Sequence, residues 1–258
     1  FCFFIIATVG ISHGSLDNHK GKFILKKYFP VYWSFIFYVA YLFTSAFVLL
    51  AWIYSPLISI CIFFLVASFH FGYEDLEMFF NQKFILETPL YFLRGLIIIS
   101  APLYLNNVET INFIDILLLG EKWINLESAT YAYIFYFNLV SIFSLTLLFW
   151  IRKNINLKDF FMISFEVFSI VVIFKYLPLI LAFTIYFCFM HSTKHILSLA
   201  VELNGSNVYA GIKLFAKKAA PLTIITFAMS LIMLFYLSKE FSVDKSILKI
   251  IFIGFAAL

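Results

Sequence analysis

Two histidines, His191 and His195, stand four residues apart near the end of a long apolar segment, 176–200. On an α-helix, residues with this spacing lie one above the other on the same face. Two imidazoles placed in this way can share one metal ion, and an ionisable residue inside a membrane span marks a functional site by default. The alternative is a pair of solvated histidines near a helix end.

Two other histidines also lie at or near the end of an apolar segment. His13 follows the apolar stretch 1–12, and His70 lies near the end of the stretch 56–73. The fifth histidine, His19, lies among lysines, and we expect it to be solvated. If the helices that carry the other four are neighbours, four imidazoles converge, and imidazole suits Fe, Zn, Cu and Ni.

The composition is that of a polytopic membrane protein. Of the 258 residues, 64% are apolar and 12% are charged, and the mean hydropathy is +1.01, a balance foreign to soluble domains. The net charge of +4 does not indicate a nucleic-acid partner, because the lysines fall between apolar segments rather than along one face. We therefore predict an all-α membrane helical bundle that forms a single integral-membrane domain over residues 1–258.

The apolar segments predict about eight or nine membrane spans, the first and the last of which are represented only in part. They are the end of a first span at 1–12, spans at 30–54, 56–73, 89–105, 129–151, 160–176, 179–200 and 219–237, and the start of a ninth at 247–258. The stretch 111–119 is too short to cross and is predicted to lie in the interface or to re-enter. The chain begins without Met inside an apolar segment, so we expect residues to precede it.

Loop charges give the orientation of these spans. The predicted loops 14–30, 152–159 and 202–218 carry four, three and three basic residues against one acid each. Counting spans puts these loops on one side, which the positive-inside rule assigns to the cytoplasm. The four histidines His13, His70, His191 and His195 then lie toward the cytoplasmic ends of their helices, in the plasma membrane.

Two carboxylates are placed to orient ligand histidines. Asp17 follows His13 by four residues, and Glu74 follows His70 by four. A carboxylate that accepts the second N–H of a ligand imidazole fixes its orientation. This role requires that the helices continue past Gly14 and Gly72, and the alternative is that both acids are solvated in loops.

Three motifs resemble those of the Brp/Blh family of integral-membrane β-carotene 15,15′-dioxygenases. They are HGSLD at 13–17, FHFGYED at 69–75 and YFCFMHSTKH at 186–195, and their order and spacing agree over essentially the whole chain. The family's further histidine motif would begin about where this chain ends.

The resemblance implies a cofactor, a reaction and partners. The cofactor is Fe(II), whose implied ligands are His13, His70, His191 and His195. The implied reaction is the cleavage of β-carotene by O₂ at its central double bond, which gives two molecules of retinal. The resemblance further implies that retinal is passed to a microbial rhodopsin.

Aromatic residues near the motif histidines suit a carotenoid, which is a long apolar polyene dissolved in the bilayer. A tunnel for it would have apolar and aromatic walls. The predicted tunnel residues are Phe69, Phe71, Tyr73, Phe183, Tyr186 and Phe187. Against this, membrane proteins are rich in aromatic residues in any case, especially at interfaces.

Two other classes of protein remain open at this point. One is a different histidine-ligated membrane metalloenzyme, either a zinc hydrolase or a di-iron lipid oxidase. The di-iron enzymes use more histidines than the five present here. The other class is a carotenoid-binding or transport protein without chemistry, although the inverted repeats common in transporters are not found in the sequence.

Overall fold

The computed structural model describes residues 2–80, 87–124 and 126–257, apart from the side chains of His13 and Phe255. All regular elements in this part of the chain are helical, which confirms the all-α class. The α-helices are α1 (Cys2–Ile5), α2 (Ile11–Gly14), α3 (Asp17–Tyr28), α4 (Trp33–Tyr54), α5 (Pro56–Leu76), α6 (Glu87–Leu105), α7 (Asn107–Leu117), α8 (Ser128–Ile151), α9 (Leu157–Tyr176), α10 (Leu179–Thr184), α11 (Ser192–Leu203), α12 (Val208–Leu237) and α13 (Val243–Ala257). Two π-helical turns, Ile6–Gly10 and Ile185–His191, precede α2 and α11.

Six helical segments of the described chain are long and apolar enough to cross a membrane. They are Trp33–Tyr54, Pro56–Phe79, Glu87–Leu105, Ser128–Ile151, Leu179–Leu203 and Val208–Leu237. The predicted count of eight or nine spans is not confirmed. The run from α1 to α2 and helix α13 are short, and α9 is interrupted by charges, including Glu166 in its middle.

The chain divides into two compact units. Unit 1 comprises Phe1–Ser59 and Phe187–Leu258, and unit 2 comprises Ile60–Tyr186. The single integral-membrane domain stays a prediction.

Helix α6 is the centre of unit 2. It packs against α7, α8 and α9, and much of its length is buried. Against α5 the two backbones touch, because a Cβ atom on Gly72 would collide with the Tyr91 carbonyl, and one on Gly95 with the Ser68 carbonyl. Small residues at a crossing allow this close approach, which is how helices in a membrane gain packing energy.

Polar side chains in unit 2 form hydrogen bonds with backbone groups at helix ends, which have no partner within their own helix. The Asn106 amide donates to the Phe174 carbonyl at 2.6 Å and to the Leu177 carbonyl at 3.2 Å, at the end of α9. The Glu109 carboxylate accepts the backbone N–H of Leu179 at 3.1 Å, at the start of α10. Such internal pairing is required where no water is available to pair with the backbone.

A buried amide fastens α8 to α6. In the orientation that satisfies both its ends, the Asn138 side chain donates to the Leu93 carbonyl at 3.0 Å and accepts from the Ser100 hydroxyl at 3.0 Å. Asn138 and Ser100 are both buried. A satisfied polar pair of this kind specifies one register between two helices that are otherwise apolar.

In unit 1, α12 packs against α2, α11 and α13, and α13 packs against α4. A small core joins the turn after α2 to helices α11 and α12. In it, Leu16 of the turn is buried together with Leu199 of α11 and with Phe215 and Ala219 of α12. At the α11–α12 crossing, a Cβ on Gly211 would collide with the Ala200 carbonyl. The turn that follows α2 is therefore held at the level of residues 215–219 of α12.

Three segments predicted as loops or as an interfacial stretch are helical. The predicted basic loop 14–30 contains α3, the predicted polar loop 202–218 contains the first residues of α12, and the stretch 111–119 is largely α7. Lysine is a good helix former, so a lysine-rich segment does not end a helix by itself. The start of α12 is fixed by Asn207, whose side chain accepts the Ala210 N–H at 3.0 Å.

The α5–α6 crossing gives a stability prediction. Gly72→Ala should lower the free energy of unfolding by about 2–3 kcal/mol, because the added methyl group must push two helix backbones apart. The measurement is thermal unfolding of the purified protein in detergent.

Gly254→Ala is the matched control, since no described atom beyond its chain neighbours and the backbone of its own helix lies within 4 Å of the position of its Cβ. This second glycine lies inside α13, where alanine should leave stability unchanged or raise it by up to about 1 kcal/mol. Equal unfolding temperatures for Gly72→Ala and the wild type would contradict the close crossing.

Candidate functional site

Both histidine motifs of unit 1 adjoin a π-helical turn. The turn Ile6–Gly10 leads into α2, which carries His13, and the turn Ile185–His191 ends at the first histidine of the pair. π-Helical turns are rare and are often found at functional sites. The two turns touch, because a Cβ on Gly10 would lie 2.5 Å from the Phe187 ring.

The histidine pair is buried. His191 is 0% exposed and His195 is 5% exposed, so the alternative of two solvated histidines is wrong. The Phe187 ring stacks on the His191 ring, with centroids 5.9 Å apart, and the Thr193 hydroxyl donates to the Cys188 carbonyl at 3.0 Å. Helix α11, which carries His195, packs against α2. The side chain of His13 on α2 lies outside the described residues.

His70 lies on α5 in unit 2 and is exposed. Its ring is 5.7 Å from the Phe71 ring. Helix α5 continues through Gly72 to Leu76, so Glu74 stands one helical turn after His70, as its predicted orienting role requires.

The same condition fails for Asp17. Helix α2 ends at Gly14, a turn follows, and α3 begins at Asp17 itself. Asp17 is therefore not one helical turn above His13, and helical spacing no longer supports a pairing of these two side chains.

The six predicted tunnel residues are divided between the units. In unit 2, the Phe69 and Tyr73 rings stack 6.2 Å apart, and the Phe71 ring meets the Tyr186 ring edge-on at 5.8 Å. Phe183 in unit 2 and Phe187 in unit 1 are buried. A groove of about 480 Å³ between α8 and α9 is lined by other residues, among them Leu139, Phe143, Ile163 and Phe168.

A buried charged cluster centred on Arg94 is the main feature of unit 2 that the sequence reasoning missed. Nη2 of Arg94 lies 3.1 Å from Oδ2 of Asp75 on α5 and 3.2 Å from Oε2 of Glu166 on α9. The Tyr186 hydroxyl donates to the same Asp75 oxygen at 3.0 Å. Arg94 is 0% exposed and Asp75 is 1% exposed. The sequence does contain one sign of this cluster, since Arg94 and Glu166 are charged residues inside apolar segments.

The Arg94 cluster joins four elements at one point. One guanidinium nitrogen of α6 bridges carboxylates of α5 and α9, and Tyr186 belongs to the π-helical turn. Buried charges of opposite sign offset each other's desolvation only when they are paired and hydrogen-bonded. The cluster therefore fixes the start of the π-helical turn against α5, the helix that carries His70.

The described side chains alone do not form a metal site. Among them, no group of three or more His, Cys, Asp and Glu residues is arranged to hold a metal ion. Imidazole nitrogen is a suitable ligand for iron, so the buried side chains of His191 and His195 fit this metal. They are two of the four predicted ligands. The iron site stays a prediction.

Comparison with known proteins identifies the family. The family model described as beta-carotene 15,15′-dioxygenase matches residues 4–258, nearly the whole chain. This match confirms the resemblance to the Brp/Blh family. No curated protein matches the chain, and no solved structure does.

The Arg94 cluster gives a second stability prediction. Arg94→Met should lower the free energy of unfolding by about 3–5 kcal/mol, because it leaves the buried carboxylate of Asp75 and the partly buried carboxylate of Glu166 without their cation. Thermal unfolding in detergent measures the effect.

Arg152→Met removes an exposed arginine at the end of α8 and should change stability by no more than about 0.5 kcal/mol. Adding Asp75→Asn and Glu166→Gln to Arg94→Met should recover part of the loss, since no charge then remains buried. A triple variant less stable than Arg94→Met would contradict this account of the cluster.

Proposed function

Because the chain belongs to the beta-carotene 15,15′-dioxygenase family, we propose that it cleaves β-carotene at its central 15,15′ double bond with O₂. The products are two molecules of all-trans retinal. Each oxygen atom of O₂ becomes the aldehyde oxygen of one product, so the reaction balances without a reductant.

The observation that best supports this proposal is the contact between the two π-helical turns of unit 1. The Phe187 ring packs on Gly10, and each turn adjoins one of the family's histidine motifs. The backbone geometry is therefore unusual where the motifs lie, and it is ordinary along most of the other helices. Such local departures from α-helical geometry are retained where function requires them.

We propose an iron site built from the family's motif histidines. The proposed ligands are His13, His70, His191 and His195. Fe(II), when bound, would supply the activation of O₂, which no amino-acid side chain performs. Four neutral imidazoles suit this metal and leave coordination positions open on a six-coordinate ion.

The protein would orient the ligands and exclude water. Phe187 stacks on His191 and shields it, and both histidines of the pair are buried. Glu74, one turn after His70 on the continuous α5, is proposed to orient that imidazole by accepting its second N–H. The same role is proposed for Asp17 toward His13: the Asp17 carboxylate lies 3.7 Å from the position of a Cβ on Gly14, although the helix break after Gly14 means that helical spacing does not support the pairing.

The substrate would enter sideways from the lipid bilayer. The proposed tunnel walls are Phe69, Phe71, Tyr73, Phe183, Tyr186 and Phe187, whose rings are apolar like the polyene. Their positions would set which double bond lies at the metal. A dry, apolar cavity also limits side reactions of the products.

We place this activity in the plasma membrane, with the metal toward the cytoplasmic side. The basic segments of the chain support that orientation. A total of eight or nine spans would require α9 and the terminal helices to cross in addition to the six apolar segments. Retinal, being apolar, would pass within the membrane to a microbial rhodopsin.

The reaction is tested by incubating the purified protein with β-carotene under ¹⁸O₂ and trapping the aldehydes at once. We expect retinal as the product, with label in both molecules formed from one β-carotene. Label in only one of the two would indicate a monooxygenase route, and retinal formed at the same rate without O₂ would contradict the proposal. Bound carotenoid without any product would favour a binding or transport protein.

The ligands are tested by the iron content of single His→Ala variants. The wild type should bind one iron per chain, and His70→Ala and His195→Ala should each lose most of it, because a ligand is removed. His19→Ala is the control, since His19 lies on α3 against Phe23 and should keep iron and activity. Full iron content in both His70→Ala and His195→Ala would refute the ligand set.

The same assay tests Glu74. Glu74→Gln should lower iron affinity or turnover about 10–100-fold, as loss of a carboxylate behind a ligand histidine typically does. Glu121→Gln, in an exposed turn, should have no effect. Wild-type affinity and turnover in Glu74→Gln would remove Glu74 from the site.

A further inference from the structure

Helix α3 is a lysine-rich helix with apolar residues on its surface. None of its residues is buried, and Phe23, Ile24 and Tyr28 are 73%, 65% and 68% exposed. Its lysines are Lys20, Lys22, Lys26 and Lys27. Exposed aromatic and aliphatic side chains between lysines are typical of helices that lie in the membrane interface.

Contacts with α4 place α3 at the end of a membrane span. The Asn18 amide donates to the Tyr38 hydroxyl at 3.0 Å, and the Lys22 ammonium lies 5.8 Å from the Trp33 ring centroid. Because Tyr38 is five residues into α4, the Asn18 contact lies about 7–8 Å along this span. That contact lies within the depth, about 5–10 Å, to which interfacial helices bury their apolar face.

Aromatic residues are also found at this end of the α4 span. Tyr28, Tyr32 and Trp33 surround the turn between α3 and α4, and both tyrosines are exposed. Tyrosine and tryptophan collect where the hydrocarbon core of a membrane meets the headgroups. The lysines of α3 therefore lie at headgroup level.

The first part of α12 adds three lysines at this level. The buried cluster of Leu16 with Phe215 and Ala219 holds the turn directly before α3 against α12. The neighbouring lysines of α12, all exposed, are Lys213, Lys217 and Lys218. The acids near them in sequence, Asp17 and Glu202, leave seven lysines against two carboxylates over residues 14–30 and 202–218.

We propose that α3 and the start of α12 form a binding surface for anionic phospholipid headgroups. The lysines pair with the phosphate and glycerol headgroups of one leaflet, while Phe23, Ile24 and Tyr28 insert among the upper parts of the acyl chains. This surface orients unit 1 in the membrane, and it selects lipids independently of the reaction that the protein catalyses.

Lipid selectivity is measured by electron spin resonance on the full chain reconstituted in phosphatidylcholine vesicles. Spin-labelled phosphatidylglycerol and spin-labelled phosphatidylcholine are compared by the fraction of each that the protein immobilises. One lysine contact corresponds to about a fivefold preference for the anionic lipid. We expect a clear preference for phosphatidylglycerol at low salt that disappears at about 1 M salt, where screening is strong.

The site is tested with matched sets of four lysines. Replacing Lys20, Lys22, Lys26 and Lys27 by Gln should abolish most of the preference, and replacing them by Arg should keep it. The control replaces four exposed lysines elsewhere by Gln, namely Lys122, Lys175, Lys239 and Lys245, and should leave most of the preference.

Three results would overturn the proposal. They are equal immobilisation of the two lipids by the wild type, an unchanged preference after the four Gln substitutions in α3, and an equal loss in the control set. The last result would mean that net charge, rather than this surface, selects the lipid.

Discussion

The fold of unit 2 depends on pairing the buried charge of Arg94 within the protein, because the surroundings of a membrane span offer no water. Arg94 shows this constraint most clearly: it is fully buried, and one of its nitrogens bridges Asp75 and Glu166. Helices α5, α6 and α9 meet at that nitrogen, and Tyr186 adds the π-helical turn. Without the arginine the two carboxylates would be expensive to bury, so the arrangement of these elements is determined together.

Close backbone contact is the second constraint. Hydrophobic burial gives little preference for one helix pairing over another inside lipid, so packing and small residues decide. Gly72 with Gly95 brings α5 onto α6, Gly211 brings α12 onto α11, and Gly10 admits the Phe187 ring. The last contact joins the two π-helical turns that adjoin histidine motifs. Family membership, these turns and the buried pair His191 and His195 together support a histidine-held metal in a carotenoid-cleaving enzyme.

The sequence predicted the helical class, the membrane character and the family, because hydropathy and short motifs carry that information locally. It did not predict the Arg94 cluster, since Asp75, Arg94 and Glu166 are far apart in the chain and only their charge in apolar surroundings was visible. It placed the lysines of α3 in a loop, because positive charge between apolar segments indicates a boundary without indicating its conformation. The π-helical turns have no sequence signature, and the helix break after Gly14 removed the spacing argument for Asp17 while the continuity of α5 kept it for Glu74.

The central claim is that histidines from three separate motifs hold one iron ion. X-ray absorption spectroscopy at the iron edge, on the purified chain loaded with Fe(II), tests it most directly because it identifies and counts the atoms around the metal. We expect a shell of nitrogen and oxygen around the iron, with the multiple-scattering pattern of four imidazoles. A shell that contains sulfur, or one without imidazole scattering, would contradict it.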